Sequence, residues 1–127
     1  MNKNEQPRPL SRKEEEIMSL FWQHGPMFIR EAVEMMPSPK PHVNTVATFV
    51  RGLEAKGWLS REQIGNSYRY SAAVPLKEYR DHSVRGLVDR FFGKSYTSFV
   101  STLVSDEKIS TAELRELIEM IEKGKEV

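Results

Sequence analysis

The stretch HVNTVATFVRGL, residues 42–53, decides the fold of this chain. Its apolar residues recur at helical spacing and predict one buried stripe, made of Val43, Val46, Phe49, Val50 and Leu53. The opposite face carries the polar side chains Asn44, Thr45, Thr48 and Arg51. Asparagine can pair with adenine and arginine with guanine, and the threonine methyl group can contact that of thymine. The sequence therefore predicts a helix with one buried face and one face suited to the base edges and phosphates of DNA.

Two shorter helices are predicted before this stretch. Ser11-Arg12-Lys13-Glu14 matches a capping box, so the first helix begins at Ser11, and Gly25-Pro26 ends it. The prolines within residues 37–41 end the second helix. Its apolar positions, at intervals of three and four residues, are Ile29, Ala32, Val33 and Met36. Two short helices and a turn before an amphipathic helix are in helix-turn-helix order.

A β-hairpin is predicted after the third helix. Lys56-Gly57 closes that helix, and residues 58–63 and 67–71 have the composition of two strands. Gly65-Asn66 between them is a two-residue turn signal, because both residues tolerate positive φ. The order of elements predicts a mainly α protein with a small β-hairpin wing, a winged helix-turn-helix. The candidate DNA-binding residues are Asn44, Thr45, Thr48, Arg51, His42, Lys56, Asn66, Ser67 and Arg69.

Everything beyond Leu76 is predicted to be helical. Apolar stripes recur there three times, separated by Gly93 and by a capping box at residues 110–113. Three short helices are too few to build a sound core alone, so a second copy of the same chain is the simplest partner. A monomeric helical core is the alternative. The candidate dimerisation residues are Leu87, Phe91, Phe92, Phe99, Val100, Leu103, Val104, Leu114, Leu117, Ile118 and Ile121.

Composition and charge agree with this organisation. The predicted parts are a flexible leader (1–9), a winged-helix DNA-binding domain (10–75) and a helical dimerisation domain (76–127). Residues 35–80 hold seven basic and three acidic side chains, an excess on the proposed DNA-reading part. No apolar run approaches the roughly 20 residues that span a bilayer, and the leader lacks a signal peptide's apolar core. The expected location is the cytoplasm, with no stable membrane association, and the absence of cysteine fits a reducing compartment.

Enzymatic and metal-binding classes find no support in the sequence. No nucleophile set and no Gly-rich phosphate loop is present, and the histidines His24, His42 and His82 lack ligand-spaced companions. The run Glu14-Glu15-Glu16 favours a helix start and is expected to form a solvated face rather than a catalytic pair. We therefore expect no enzyme, no metal and no cofactor. The alternative to a DNA-binding protein is a winged-helix protein-interaction module without specific DNA binding.

The chain resembles the penicillinase-repressor (BlaI/MecI/CopY-like) family of bacterial transcriptional regulators over about residues 9–123. The fragments that carry the resemblance are Leu10-Ser11, Glu15 with Ile17-Met18, Trp22, Asn44-Thr45-Val46 with Thr48, Leu53-Glu54, Lys56-Gly57, Tyr68-Arg69-Tyr70, Phe91-Phe92-Gly93, Ser98-Phe99-Val100, and Glu113-Leu114 with Leu117. The resemblance implies a homodimeric repressor that occupies a palindromic operator in double-stranded DNA. It also places the third helix in the major groove. Some members carry Lys or Arg where this chain has Asn44, Ala47 and Gly52, which implies fewer phosphate contacts here.

The resemblance also implies how such a repressor is released. The copper-responsive branch uses clustered cysteines, and this chain has none. The β-lactam-responsive branch is cleaved by a membrane sensor-protease within the helix that corresponds to residues 96–105. Members of that branch typically carry Asn-Phe where this chain has Thr102-Leu103, which makes these two residues the candidate cleavage position. Candidate partners are a membrane sensor-protease or a downstream protease.

Overall fold

The computed structural model describes residues 9–124, so nearly all of the predicted leader lies outside it. The elements are α1 (Arg12–His24), β1 (Met27–Phe28), α2 (Ile29–Glu34), α3 (Val43–Ala55), β2 (Leu59–Ile64), β3 (Ser67–Ala72), α4 (Leu76–Phe91), α5 (Tyr96–Ser105) and α6 (Thr111–Glu122). The chain divides into two compact units between Tyr79 and Arg80. The first turn of α4 therefore belongs with the first unit, four residues past the predicted boundary. Mainly α structure with a small wing is confirmed.

The capping box that opens α1 is formed as the sequence predicts. The Ser11 hydroxyl accepts the N–H of Glu14, and the Glu14 carboxylate accepts the N–H of Ser11. Gly25, with φ of +81°, ends the helix by donating its N–H to Phe21. A left-handed conformation of this kind costs little only at glycine, which explains why the helix stops there.

The acidic run at the start of α1 is not simply a solvated face, as the sequence suggested. Glu15 and Glu16 are exposed, but Glu14 is buried. Its carboxylate lies 2.6 Å from the ammonium group of Lys56, at the end of α3. The two residues are 42 positions apart, so helix periodicity alone could not have revealed the pair. Glu14 therefore fastens the start of α1 to the end of α3.

Helix α2 is shorter than its apolar spacing suggests. It ends at Glu34, and Met36 lies in the following turn while still packing against the core. The ammonium group of Lys40 donates to the backbone oxygens of Glu34 and Met36 at 2.7 and 3.1 Å. Those bonds satisfy carbonyls that the helix leaves without intrahelical partners.

Helix α3 is capped by specific hydrogen bonds at both ends. His42 is its N-cap, and its Nδ1 accepts the N–H of Asn44 at 3.0 Å. At the other end Gly57 has φ of +90°, and Trp58 donates its N–H to the carbonyl of Leu53 at 2.9 Å. This 6→1 bond is that of a Schellman motif, and the two residues that it joins, Trp58 and Leu53, both bury their side chains in the core.

The hairpin is part of a three-stranded antiparallel sheet, in the order β1-β3-β2. The two-residue strand β1, which pairs Met27 with Tyr70, was not predicted. Strands β2 and β3 pair from Leu59 opposite Ala72 to the turn. The turn lies at Gly65-Asn66 as predicted, and of these two residues Gly65 has a positive φ (+61°) while Asn66 does not. One such value at the first central residue is what a glycine there provides.

One apolar core holds the first unit together. The side chains of α1, α2, α3 and the sheet meet in it, and the buried members are Ile17, Met18, Phe21, Met27, Ala32, Val46, Val50, Leu53, Trp58, Leu59, Tyr70 and Val74. Tyr79, from the first turn of α4, stacks on Trp22 with ring centres 5.2 Å apart. The indole N–H of Trp22 donates to the carbonyl of Val74 at 2.9 Å. The core thus fixes one face of α3 and leaves the other outside.

The Glu14–Lys56 pair predicts a pH-dependent contribution to stability. The hydrogen bond from Lys56, followed by the backbone bond from Ser11, holds the pKa of Glu14 below its usual value. An acid with a lowered folded pKa stabilises the fold above its unfolded pKa, about 4.3, and that stability is lost as the pH falls through the folded value. We expect Glu14→Gln to lower the free energy of unfolding by about 1 kcal/mol at pH 7, because the ion pair with Lys56 is lost. The loss is no larger because the Lys56 side chain is half exposed, so water screens the pair.

Urea unfolding of parent and variant, stepped from pH 7 into acid, measures this contribution. The difference should disappear in acid, where Glu14 itself is protonated. Glu16→Gln is the matched control, because its pair with Lys13 is exposed and 3.7 Å long, and it should change stability little at any pH. A Glu14 effect that stays constant with pH would contradict the ion pair as its cause.

The second unit consists of α4 from Arg80 onward, α5 and α6. Gly93 and Lys94, both with positive φ, separate α4 from α5. A capping box at Ser110 and Glu113 opens α6 as predicted. Among residues 80–124, only Val88 is buried. The unit therefore presents most of its apolar side chains to its surroundings.

Candidate nucleic-acid interface

The polar face of α3 is an exposed stripe, which we call the reading stripe. Asn44, Thr45, Thr48 and Arg51 are all exposed, while Val46, Val50 and Leu53 on the same helix are fully buried or nearly so. Asn44, Thr48 and Arg51 follow one another at intervals of four and three residues and therefore lie along one line. The line is about 10 Å long at a rise of 1.5 Å per residue, which spans roughly three base pairs. The arrangement suits base-edge contacts in a major groove.

Two hydrogen bonds fix what this stripe can offer. Thr48 donates its hydroxyl hydrogen to the carbonyl of Asn44 at 3.0 Å, so it presents its methyl group and oxygen lone pairs outward. The Nδ1 atom of His42 is occupied by capping the helix. Thr45 lies at the edge, where it also lines a mainly apolar cavity of about 460 Å³ beside α1 and the proline-rich loop. The amide of Asn44 and the guanidinium of Arg51 remain the groups with bidentate capacity.

Lys56, also a candidate DNA contact, is held inside the chain. Its ammonium group pairs with the carboxylate of Glu14, although 45 % of the side chain is exposed. Releasing Lys56 to a phosphate would leave Glu14 buried without its counter-charge, which is costly. The position therefore fits a structural role better than a phosphate contact.

The wing places its three candidate residues differently. Asn66 is exposed at the turn, and Ser67 lines a cleft between the wing and α3. Arg69 lies opposite Glu62 in the register and pairs with its carboxylate. Its strand neighbour Tyr70 is buried, so Arg69 points to the other face of the sheet. Among the wing candidates, Asn66 and Ser67 are thus the ones without a charged partner within residues 9–124.

The cleft also contains two arginines that the sequence analysis missed. It has a volume of about 330 Å³ and lies between the start of α2, α3 and the wing. Arg30 from α2, Arg51 from α3 and Arg61 from β2 line it together. The Arg61 carbon Cζ lies 4.1 Å from the centre of the Tyr68 ring. Hydrogen bonding with Tyr70 and the charge of Glu54 raise the pKa of Arg61, so this group stays cationic.

The candidate dimerisation residues lie on the three helices of the second unit, and most of them are exposed. Phe91 is 71 % exposed, Ile118 54 % and Ile121 69 %. Leu87, Val100, Val104 and Leu117 are exposed to a smaller extent. By contrast Phe92, Phe99, Leu103 and Leu114 are half-buried. Phe92 and Phe99 pack edge to face with ring centres 5.3 Å apart.

The candidate cleavage position lies within α5. Thr102 is exposed, and its hydroxyl donates to the carbonyl of Ser98 at 3.2 Å. No residue of this helix is buried within the single chain. Little packing therefore opposes local unwinding of α5.

Within residues 9–124, no cluster of three or more histidine, cysteine or carboxylate side chains is arranged to hold a metal ion. No helix in this part is both long enough and apolar enough to cross a bilayer.

The chain is similar to known transcriptional regulators over most of its length. The chain is 24 % identical to the penicillinase repressor of Bacillus licheniformis, over 91 % of each chain. It is 22 % identical to the methicillin resistance regulatory protein MecI of Staphylococcus aureus, over 90 % of this chain and 94 % of that one. An ArsR-like transcriptional regulator from Rhodococcus sp. RHA1 superimposes with a TM-score of 0.46 and 16 % identity, over 73 % of this chain and 80 % of that one. The family model described as penicillinase repressor matches residues 10–123, and the chain belongs to that family.

Proposed function

We propose that this protein is a transcriptional repressor that binds double-stranded operator DNA and inserts α3 into the major groove. The observation that carries the proposal is the reading stripe, an exposed polar line on a helix whose other face is locked into the core. Asn44 and Arg51 supply bidentate hydrogen bonds to adenine and guanine, and Thr48 supplies a methyl contact. Thr45 borders the stripe, and Asn66 and Ser67 contact the backbone from the wing.

Repression follows from occupancy of promoter DNA. The family description and the names of two relatives, a penicillinase repressor and MecI, support a repressor rather than an activator. No catalytic step enters this mechanism, since binding alone blocks the promoter. Most of the affinity comes from sequence-independent attraction to phosphates, and the stripe provides the discrimination.

The protein acts as a homodimer that joins two winged helices through the second unit. The exposed apolar side chains of α4, α5 and α6 support this assembly, because monomeric proteins seldom leave so many together in water. A twofold dimer binds a palindromic operator, with half-sites about one helical turn apart or a multiple of it. A monomeric core is disfavoured by the single buried residue among those described from 80 to 124.

Release occurs when the dimer is weakened, and we propose proteolysis in α5 as the route. Cleavage between Thr102 and Leu103 would separate α6 from the rest of the chain and remove one apolar face from the interface. Proteases cut most readily where the backbone is exposed and loosely packed, and α5 has no buried residue to hold it closed. The protease would be a membrane sensor-protease or a protease downstream of one.

Footprinting of the purified protein on the DNA upstream of its own gene tests the proposal. We expect protection of a palindrome, which is lost in Arg51→Ala under the same conditions. A salt titration separates the phosphate contribution, which weakens steeply with salt, from base discrimination. Diffuse protection at every concentration, equally sensitive to salt on any sequence, would contradict a specific repressor and favour an interaction module.

A further inference from the structure

The cleft between α2, α3 and the wing carries positive charge from two arginines, Arg30 and Arg61, that do not belong to the reading stripe. Three guanidinium groups line it, and no carboxylate is among its lining residues. Arg61 is partly neutralised, since its Nε lies 3.2 Å from the carboxylate of Glu54. Arg30 and Arg51 have no side-chain hydrogen bond or ion pair within the part of the chain that the structure describes. The cleft is therefore complementary to an anion.

The walls of the cleft narrow the choice of anion. Between the arginines lie Ile29, Val43 and Ala47, which are apolar, and the hydroxyl-bearing Ser67 and Tyr68. A free inorganic anion has no apolar group that could pack against the apolar part of the wall. A sugar-phosphate chain does, because deoxyribose offers carbon to the apolar wall while its phosphates accept hydrogen bonds from arginine.

Its position relative to the reading stripe supports the same ligand. Arg51 belongs to both the cleft and the reading stripe, so the cleft adjoins the Arg51 end of the stripe. In B-DNA the two sugar-phosphate backbones form the edges of the major groove. A duplex bound by the stripe therefore brings one strand's backbone to the cleft.

We propose that this cleft clamps one strand of the operator backbone, with Arg30 pairing to a phosphate from the α2 side and Arg61 from the wing side. The inference rests on the proposed DNA-binding function and extends the interface to two elements beyond α3. Arg51 keeps its base contact at the inner end. Glu54 and the Tyr68 ring hold the Arg61 guanidinium at the wing wall, which limits the entropy lost on binding.

Salt-dependent affinities of the full chain and of Arg30→Ala test the clamp, on the footprinted operator and on an unrelated duplex. Loss of one phosphate contact should reduce the slope of log affinity against log salt by about 0.9. The same relation predicts about eightfold weaker binding at roughly 0.1 M salt, fading towards none near 1 M. Because phosphates carry no sequence information, both duplexes should lose the same factor. The double variant, Arg30→Ala with Arg61→Ala, should reduce the slope by about twice as much as Arg30→Ala alone.

Arg12→Ala is the matched control, since Arg12 is exposed on α1 of the same unit and lies outside the cleft. It should leave the slope unchanged. Equal losses in Arg12→Ala and Arg30→Ala would overturn the clamp in favour of general charge attraction. An Arg30→Ala protein that binds both duplexes like the parent, or weakens only on the operator, would overturn it as well. If the parent binds neither duplex, the proposed function falls together with the clamp.

Discussion

Replacing Asn44 and Arg51 together by alanine is expected to erase the preference of the protein for its operator. Each good bidentate contact to a base discriminates against the wrong base by about 1–3 kcal/mol. Two of them together correspond to a loss in the specificity ratio of about 30-fold to 10⁴-fold. Non-specific affinity should fall far less, because it depends on phosphate contacts made elsewhere.

The fold of the double variant should be intact. Asn44 and Arg51 are exposed on α3 and contribute nothing to the buried face of that helix. Asn44 caps nothing with its side chain, since the N-cap is His42 and the hydrogen bonds of Asn44 with these side chains, from its N–H to His42 and to its carbonyl from Thr48, are made by the backbone. Thermal unfolding should therefore stay close to that of the parent, which separates lost readout from lost structure.

A double variant of the same two residue types in the wing, Asn66→Ala with Arg69→Ala, is the matched control. Asn66 lies at the turn and Arg69 pairs with Glu62 on the other face of the sheet. This wing variant should change the affinity for all sequences alike and leave the specificity ratio near that of the parent. If the wing variant loses discrimination and the α3 variant keeps it, α3 is not the reading helix. Competition binding with operator and scrambled duplexes gives both ratios.

Features encoded locally were predictable from the sequence. The capping boxes at Ser11 and Ser110 and the stop at Gly57 each depend on residues within one helical turn, and the structure contains all three. The periodic apolar stripe of α3 identified its buried face for the same reason. Local hydrogen bonds and periodicity are decided within a few residues, which is why a single sequence reveals them.

Features that depend on distant partners were missed. Strand β1 has only Met27 and Phe28, and it exists because β3 pairs with it some 40 residues later. The charge of the buried Glu14 is balanced by Lys56, 42 positions away. Arg30 and Arg61 come from separate elements, and their shared cleft is a product of packing. Arg69 is different in kind, because strand alternation beside an apolar Tyr70 could have placed it on the other face.

Converting one apolar residue of α6 into a carboxylate is expected to separate the dimer. Ile118 is 54 % exposed in the single chain, so Ile118→Glu costs a monomer little. In a dimer that buries this face, the new carboxylate would have no partner, and an unpaired buried charge costs several kcal/mol. Phe99 is a poorer probe, because it packs on Phe92 within the chain and its replacement would disturb that packing.

The consequence for DNA binding should be large although the reading stripe is untouched. Two linked winged helices engage the second half-site at a high effective concentration, which multiplies affinity by about 10²–10⁴ over a single site. Ile118→Glu should lose that factor on the full palindrome. Its affinity for an isolated half-site should match that of the parent, because α3 and the wing are unchanged.

Ala112→Glu is the control that isolates the apolar face as the cause. It adds the same carboxylate to the same helix, on the polar side that lies opposite the apolar stripe of Leu114, Leu117, Ile118 and Ile121. Sedimentation at micromolar concentration should find this control dimeric and Ile118→Glu monomeric. If Ile118→Glu sediments as a dimer and protects the palindrome like the parent, the α6 face is not the interface. The joining surface would then have to lie on α4 or α5, where Phe91, on α4, is 71 % exposed.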